Sequence, residues 1–191
     1  MSSPFRPDPV FFFTSIVIMM ACLAVCIPPA YGGGNVSGRN VEQAALPQDT
    51  RIDRLVVSKS GRIMTAWFKG RKVKAYRVGL GQNALGPKEV DGDKKTPEGL
   101  YYVTGKALSA KYYKRLAISY PNAADRKNAA TKGLNPGSGV SIHGLGREFS
   151  EKYGAEHWRR DWTGGGIAVT NNEIDELFMY TDIGARVEII P

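Results

Sequence analysis

The stretch DWTGGGIAVTN, residues 161–171, places three consecutive glycines, Gly164 to Gly166, directly before a short apolar run. Glycine has no side chain to block an approaching ligand, so backbone N–H groups in such a run can bind an anion or an oxyanion. The plainer interpretation is a flexible turn. After the glycines, the apolar run predicts a strand, and Thr170 to Glu173 has the spacing of a capping box that begins a short helix.

A second stretch, Ile142-His143-Gly144, reads as the end of a buried strand that terminates on a histidine. A single histidine at a strand end is more often structural than catalytic. The alternative is that His143 acts as a general base.

Short strands separated by turns dominate the rest of the chain. The runs 51–57, 63–68 and 72–78 are separated by glycine turns and predict an antiparallel meander. Further strands are predicted at 100–103, 115–120, 139–144, 166–170 and 186–190, with short helices at 123–132 and after residue 170. About eight strands with no alternation of strand and helix predict a mostly β fold, a β-sandwich or open barrel with one or two short helices.

The N-terminal region predicts export. An apolar run at 10–27 is followed by prolines and glycines, so residues 1–32 are interpreted as a signal peptide or a membrane anchor, with lipid attachment at Cys26 as a third alternative. Residues 33–50 are interpreted as a linker and residues 51–191 as the folded domain, which we expect in the periplasm or cell envelope. The two cysteines, Cys22 and Cys26, precede that domain, which therefore has no thiol of its own.

The charge and composition of the chain restrict the kinds of molecule that it is expected to bind. A net charge of +8 favours anionic surroundings such as cell-wall polymer. The basic residues are scattered without interleaved aromatics, so nucleic-acid binding is not predicted, and membrane contact is expected only through the N-terminal segment. His143 and His157 are too few for a zinc site, and neither a metal nor another cofactor is predicted. We expect His157 on a surface loop.

These motifs resemble those of the YkuD-type L,D-transpeptidases, which have a His-Gly strand end and a later Gly-Cys strand start, in one branch DWTxGCIAVTN. Residues 86–88, 92–99 and 118–122 also resemble the family, and the likeness covers about residues 51–191. The resemblance implies that a cysteine thiolate attacks the bond between an L-centre and a D-centre in a peptidoglycan stem peptide. It also implies that His143 is the general base and that backbone N–H groups of Gly165 and Gly166 hold the oxyanion. Trp162, Thr163 and Arg159 are candidates for substrate binding, with ordinary loop anchors as the alternative.

This chain departs from the family at the nucleophile, because Gly166 stands where the resemblance places cysteine. Loss of a nucleophile typically costs on the order of 10⁶-fold in rate. One hypothesis is a silenced domain that acts in cell-wall remodelling by binding stem peptides, or simply a wall-binding module. Another is an active transpeptidase or crosslink-cleaving hydrolase that uses a hydroxyl such as Ser141 or Thr163 instead. A third is a recent natural loss, an engineered change or a sequence error, since cysteine and glycine codons differ by one base.

Overall fold

The structure is a computed structural model, and it describes residues 45–191. The predicted signal or anchor at 1–32 and most of the predicted linker lie outside the described residues. Residues 45–51 contain neither helix nor strand, although Leu46 packs into the main core. No helix within 45–191 has the length and apolar character needed to cross a membrane.

Eight strands form one curled sheet, which confirms the mostly β prediction. Their order across the sheet is β3-β2-β1-β8-β4-β5-β6-β7. The strands are β1 (Ile52–Ser58), β2 (Ile63–Phe68), β3 (Arg71–Arg77), β4 (Gly99–Ser109), β5 (Tyr113–Ile118), β6 (Ser141–His143), β7 (Ile167–Ala168) and β8 (Thr181–Ile190).

Strand pairing divides the sheet into two halves. β1, β2 and β3 form the predicted antiparallel meander, and β8 runs parallel to β1. β4 belongs to both halves, because residues 99–102 pair with β8 and residues 103–109 pair with β5. The register shifts between Val103 and Gly105, and an irregularity of this kind increases strand bending and twist. The long strand β4 therefore joins the two halves, and the sheet bends along it.

Three α-helices lie outside the sheet: α1 (Ala123–Thr131), α2 (Gly146–Tyr153) and α3 (Asn171–Tyr180). Both predicted helices are present, and each begins with a capping box, Asn122 with Asp125 for α1 and Thr170 with Glu173 for α3. α2 and the 3-10 helix Gly154–Arg159 that follows it were not predicted.

The buried residues form two clusters. The larger one includes Tyr76, Tyr101, Leu116, Ile142 and Ile167. The smaller one joins Leu145, Trp162 and Ala168 to three half-buried aromatic residues, Tyr112, Phe149 and Tyr153. β6 and β7 lie side by side and parallel, with His143 opposite Ala168. This pairing brings the end of the histidine strand next to the three glycines.

Candidate functional site

A cleft of about 290 Å³ opens where β6 meets the three glycines. It is lined by Ser141 and His143 of β6 and by the run 164–166. Residues of the loop at 86–98 and Tyr112 also line it. The two sequence motifs singled out above therefore line the same cleft.

His143 is held in one orientation at the base of the cleft. Its side chain is buried, and Nδ1 lies 2.8 Å from the carbonyl oxygen of Gly144. A carbonyl can only accept, so Nδ1 carries the proton of the neutral ring and Nε2 carries a lone pair. The ring stacks on Tyr112 at 4.1 Å between centroids and meets the edge of Trp162 at 6.0 Å.

Burial lowers the pKa of His143 to about 4, although the hydrogen bond to Gly144 acts in the opposite direction. The ring is therefore neutral at physiological pH. A neutral imidazole with a free lone pair at Nε2 can accept a hydrogen bond or a proton from a group in the cleft.

Gly166 faces that lone pair. A Cβ placed on Gly166 would lie 2.6 Å from Nε2 of His143, 2.8 Å from its Cδ2 and 3.1 Å from the carbonyl oxygen of Ser141. The φ angle of Gly166 lies outside the left-handed region, so its backbone does not require glycine. Any side chain at position 166 would point directly at the histidine ring.

The side chain of Thr163 holds the glycine run by two hydrogen bonds. Its hydroxyl donates to the carbonyl oxygen of Gly166 at 2.7 Å and accepts from the N–H of Gly165 at 3.1 Å. The expectation that Gly165 offers its N–H to the cleft is at odds with this hydrogen bond. Within residues 45–191, no group accepts a hydrogen bond from the N–H of Gly166, which leaves that donor available.

Gly165 itself is required by the backbone. Its φ is 121°, and a Cβ there would lie 2.6 Å from the carbonyl oxygen of Lys95. A side chain at this position would push the glycine run away from the loop at 86–98.

The three predicted substrate-binding residues do not line this cleft. Trp162 is buried beneath His143, where its Nε1 donates to the carbonyl oxygen of His157 and its ring stacks on Phe149. Thr163 is buried under the glycines. Arg159 is exposed and pairs with Glu156. Trp162 thus packs against His143 and Thr163 bonds to the glycines, while Arg159 lies on the surface.

His157 was expected on a surface loop, and that expectation was wrong. The residue lies in the 3-10 helix and is 1% exposed. Its Nε2 donates to the carbonyl oxygen of Arg77 at 3.1 Å, and burial lowers its pKa. Nothing in the polar sequence around it signals this tertiary contact.

Lys59 is one of two residues near the cleft that the sequence reasoning missed. It anchors the loop at 86–98, where its buried ammonium group donates to the carbonyl oxygens of Gly86 and Thr96 and to the carboxylate of Glu98. The other is Tyr112, which stacks on His143. The resemblance pointed to the loop, but neither Lys59 nor Tyr112 carries a local sequence signal.

Asp93 organises the middle of the same loop. Its carboxylate accepts from Nζ of Lys88 and from the backbone N–H groups of Glu89, Val90 and Lys95. Burial alone would raise the pKa of Asp93, but these hydrogen bonds together hold it at about 2. The loop is therefore a fixed wall of the cleft.

Two further contacts hold the segments around the site. The carboxylate of Asp161 forms a bidentate ion pair with Arg62, which ties the start of the glycine run to the turn after β1. Asn171 accepts from the N–H of Leu145 at 2.9 Å, which fixes the chain just after His143.

Comparison with known proteins places this arrangement in a family. Residues 52–189 match YkuD, the L,D-transpeptidase catalytic domain. The chain belongs to this family.

Individual relatives agree with that assignment. The chain is 33% identical over 108 residues to the candidate L,D-transpeptidase YafK of Escherichia coli strain K12, an alignment that covers 56% of this chain and 36% of YafK. Its fold is similar to that of Pgp2, a helical cell shape determining protein of Campylobacter jejuni, with a TM-score of 0.56 and 25% identity over 74% of this chain and 48% of Pgp2. Bd1075 of Bdellovibrio bacteriovorus shares the fold, with a TM-score of 0.52 and 20% identity over 78% of this chain and 51% of that one.

The chain thus spans about a third of the length of YafK and about half the length of Pgp2. The likeness therefore covers only part of either protein. Within residues 45–191, no group of three or more histidine, cysteine, aspartate or glutamate side chains is placed to hold a metal ion.

Proposed function

We propose that this YkuD domain binds the stem peptides of peptidoglycan and does not carry out the transpeptidase reaction, because Gly166 occupies the position of the nucleophile. The observation that carries the proposal is the 2.6 Å separation between a Cβ built on Gly166 and Nε2 of His143. A nucleophile on that Cβ would sit beside its general base. The base, the cleft and one backbone donor all remain, although the His143 ring or residue 166 must shift slightly before a side chain fits there.

The location of the domain is part of the same proposal. Peptidoglycan lies outside the cytoplasm, so the domain acts in the periplasm or cell envelope, delivered there by residues 1–32. The likeness of its fold to that of Pgp2, a helical cell shape determining protein, supports a role in shaping or remodelling the wall.

The experiment that tests the site restores the nucleophile. We expect Gly166→Cys in the full chain to form a covalent adduct with a carbapenem, because His143 can accept the thiol proton and the N–H of Gly166 can hold the oxyanion. Mass spectrometry with peptide mapping locates the adduct and distinguishes residue 166 from Cys22 and Cys26.

Two controls make this result decisive. The parent chain should form no adduct in the domain, and Gly166→Cys combined with His143→Gln should react much more slowly than Gly166→Cys alone. A folded Gly166→Cys variant that reacts no faster than Cys22 and Cys26 would refute the assignment of His143 and position 166 to a catalytic pair.

Binding is tested separately by retention of the parent chain on purified peptidoglycan. We expect retention at physiological salt that persists when the salt is raised, since a shaped cleft is less sensitive to screening than net charge is. Retention that disappears with added salt would assign the binding to the charge of +8 and not to the cleft.

A second candidate function rests on Ser141, which lines the cleft together with His143. The hydroxyl of Thr163 is engaged on both sides by Gly165 and Gly166, so Ser141 is the better placed of the two hydroxyls considered. An acyl adduct on the parent chain that disappears in Ser141→Ala would establish a serine enzyme and overturn the silent-domain proposal.

A further inference from the structure

We propose that the β2–β3 hairpin end of the sheet, made of Arg54 and residues 67–72, binds a membrane surface that carries anionic lipid headgroups. None of these residues lines the cleft beside His143, so the inference goes beyond the proposed function and does not depend on it. It adds a second membrane contact to the one that the sequence placed in the N-terminal segment.

The hairpin end carries positive charge that nothing nearby neutralises. Lys69, Arg71 and Lys72 are exposed, and Arg54 is half-buried beside them. None of these four side chains forms an ion pair within residues 45–191. The carboxylate of Asp53 accepts from the backbone N–H of Lys69 at 2.8 Å, which sets one carboxylate among four cations.

Four other cations of the meander are neutralised where they stand. Each has a carboxylate oxygen within ion-pair distance: Arg51 with Asp182, Lys59 with Glu98, Arg62 with Asp161 and Lys74 with Glu176. The unpaired charge is therefore concentrated at the hairpin end, and a surface that approaches it must supply the negative charge.

Two aromatic rings lie among these cations without joining the core. Trp67 and Phe68 are half-buried, and neither belongs to the two buried clusters or packs against them. The guanidinium group of Arg54 lies 4.7 Å from the centre of the Trp67 ring, and the ammonium group of Lys69 lies 5.2 Å from that of Phe68. The cations therefore cover the rings from the side of the solvent.

The mixture of rings and cations favours a membrane over a soluble polyanion. Tryptophan is enriched at the depth of the lipid headgroups, where its ring meets the upper acyl chains, and lysine and arginine beside it bind anionic headgroups. A soluble polyanion would use the cations alone and would leave the rings of Trp67 and Phe68 in water.

The strand pairing makes this end accessible to a flat surface. Trp67 lies opposite Arg54 of β1 and opposite Lys72 of β3, so the three side chains form one row across the sheet. The turn at Lys69 and Gly70 is exposed, and a Cβ built on Gly70 would meet nothing within 4 Å. The hairpin end therefore projects from the part of the chain that the structure describes.

The experiment uses quenching of tryptophan fluorescence by brominated lipids. The full chain is mixed at physiological salt with vesicles of brominated phosphatidylcholine, prepared with and without phosphatidylglycerol. All three tryptophans lie within residues 45–191, so the N-terminal apolar run gives no signal of its own when it enters a bilayer. We expect quenching that depends on phosphatidylglycerol in the parent chain, and its loss in Trp67→Phe.

Two triple variants separate the hairpin end from net charge. Lys69→Gln, Arg71→Gln and Lys72→Gln together remove its exposed cations. Lys127→Gln, Lys152→Gln and Arg160→Gln together remove three exposed cations that also form no ion pair within residues 45–191. Each triple variant lowers the net charge of +8 by three.

The expected size follows from the attraction of single cations to an anionic surface. One lysine or arginine near such a surface contributes about fivefold in affinity, and three contribute about a hundredfold. The hairpin triple variant should therefore need about a hundredfold more lipid for the same quenching, or lose the amplitude where the apolar run already holds the chain on the vesicle. The control triple variant should titrate as the parent chain does.

Three results would overturn the proposal. They are a parent chain without quenching that depends on phosphatidylglycerol, quenching that persists in Trp67→Phe, and equal losses in the two triple variants. A parent chain that binds soluble polyphosphate but is not quenched by vesicles would assign the hairpin end to a soluble polyanion and would also overturn it. Each of these results leaves the proposed function of the cleft standing.

Discussion

Lys59 is the residue whose replacement should most weaken the wall of the cleft. Its side chain is 3% exposed, and its ammonium group lies 2.6 Å from the carbonyl oxygen of Gly86, 3.1 Å from that of Thr96 and 2.7 Å from Oε1 of Glu98. Lys59→Met keeps most of the side-chain volume and removes all three hydrogen bonds. It also leaves the carboxylate of Glu98 without its counter-ion.

The magnitude follows from that burial. Removing one partner of a buried ion pair costs about 3–5 kcal/mol. The carboxylate of Glu98 keeps 20% of its side-chain surface and can recover some hydration, so we expect the low end, about 3 kcal/mol. For a domain of this size, a loss of that order lowers Tm by about 6–12 °C.

The assay is urea unfolding followed by tryptophan fluorescence, with two matched variants. Lys132→Met removes an ion pair to Glu89 in which both side chains are 48% exposed, and it should cost less than about 1 kcal/mol. Lys59→Met combined with Glu98→Gln should recover part of the loss because no uncompensated charge remains. A Lys59→Met variant that loses no more stability than Lys132→Met would refute the view that Lys59 anchors the loop at 86–98.

The remaining predictions concern the cleft and its acid response. Gly166→Cys should destabilise the domain by about 1–3 kcal/mol, measured by urea unfolding against Gly105→Ala, because its Cβ overlaps the ring of His143; a neutral effect would mean that the ring moves freely. The ring of His143 should titrate near pH 4 by NMR, and a midpoint near 6.5 would contradict its burial. Asp93, with its pKa of about 2, should contribute about 2 kcal/mol that is present above its unfolded pKa and is lost as the pH falls from 4 to 2. Asp93→Asn should therefore be less stable at pH 7 and lose less stability over that acid range, and an unchanged acid profile would count against the network.

The sequence predicted the parts of the fold that depend on local pattern. The alternation and glycine turns of 51–78 predicted β1 to β3, the Ala/Lys-rich run 123–132 predicted α1, and the capping box at Thr170 predicted the start of α3. α2 was missed because it begins at Gly146, has no side-chain cap and carries mostly polar residues. Local signals of the kind that mark helix ends are absent there.

The candidate site was predicted only as far as its two motifs. His143 and Gly166 share a cleft because β6 pairs with β7. The two motifs lie at these two strands. Three features of the site have no periodicity or spacing in the sequence that would predict them. They are the hydrogen bond from the N–H of Gly165 to Thr163, the burial of His157 and the stacking of Tyr112 on His143. Such contacts are decided by tertiary packing, which a local pattern does not encode.

The position of β8 has a consequence for how the chain assembles. β8 lies between β1 and β4, so without residues 181–190 the sheet is left as two separate pieces. During synthesis, the meander and the β4–β7 half would have no shared partner until residues 181–190 leave the ribosome. The pairing that joins the two pieces depends on contacts distant in sequence and would therefore form after each piece has been made.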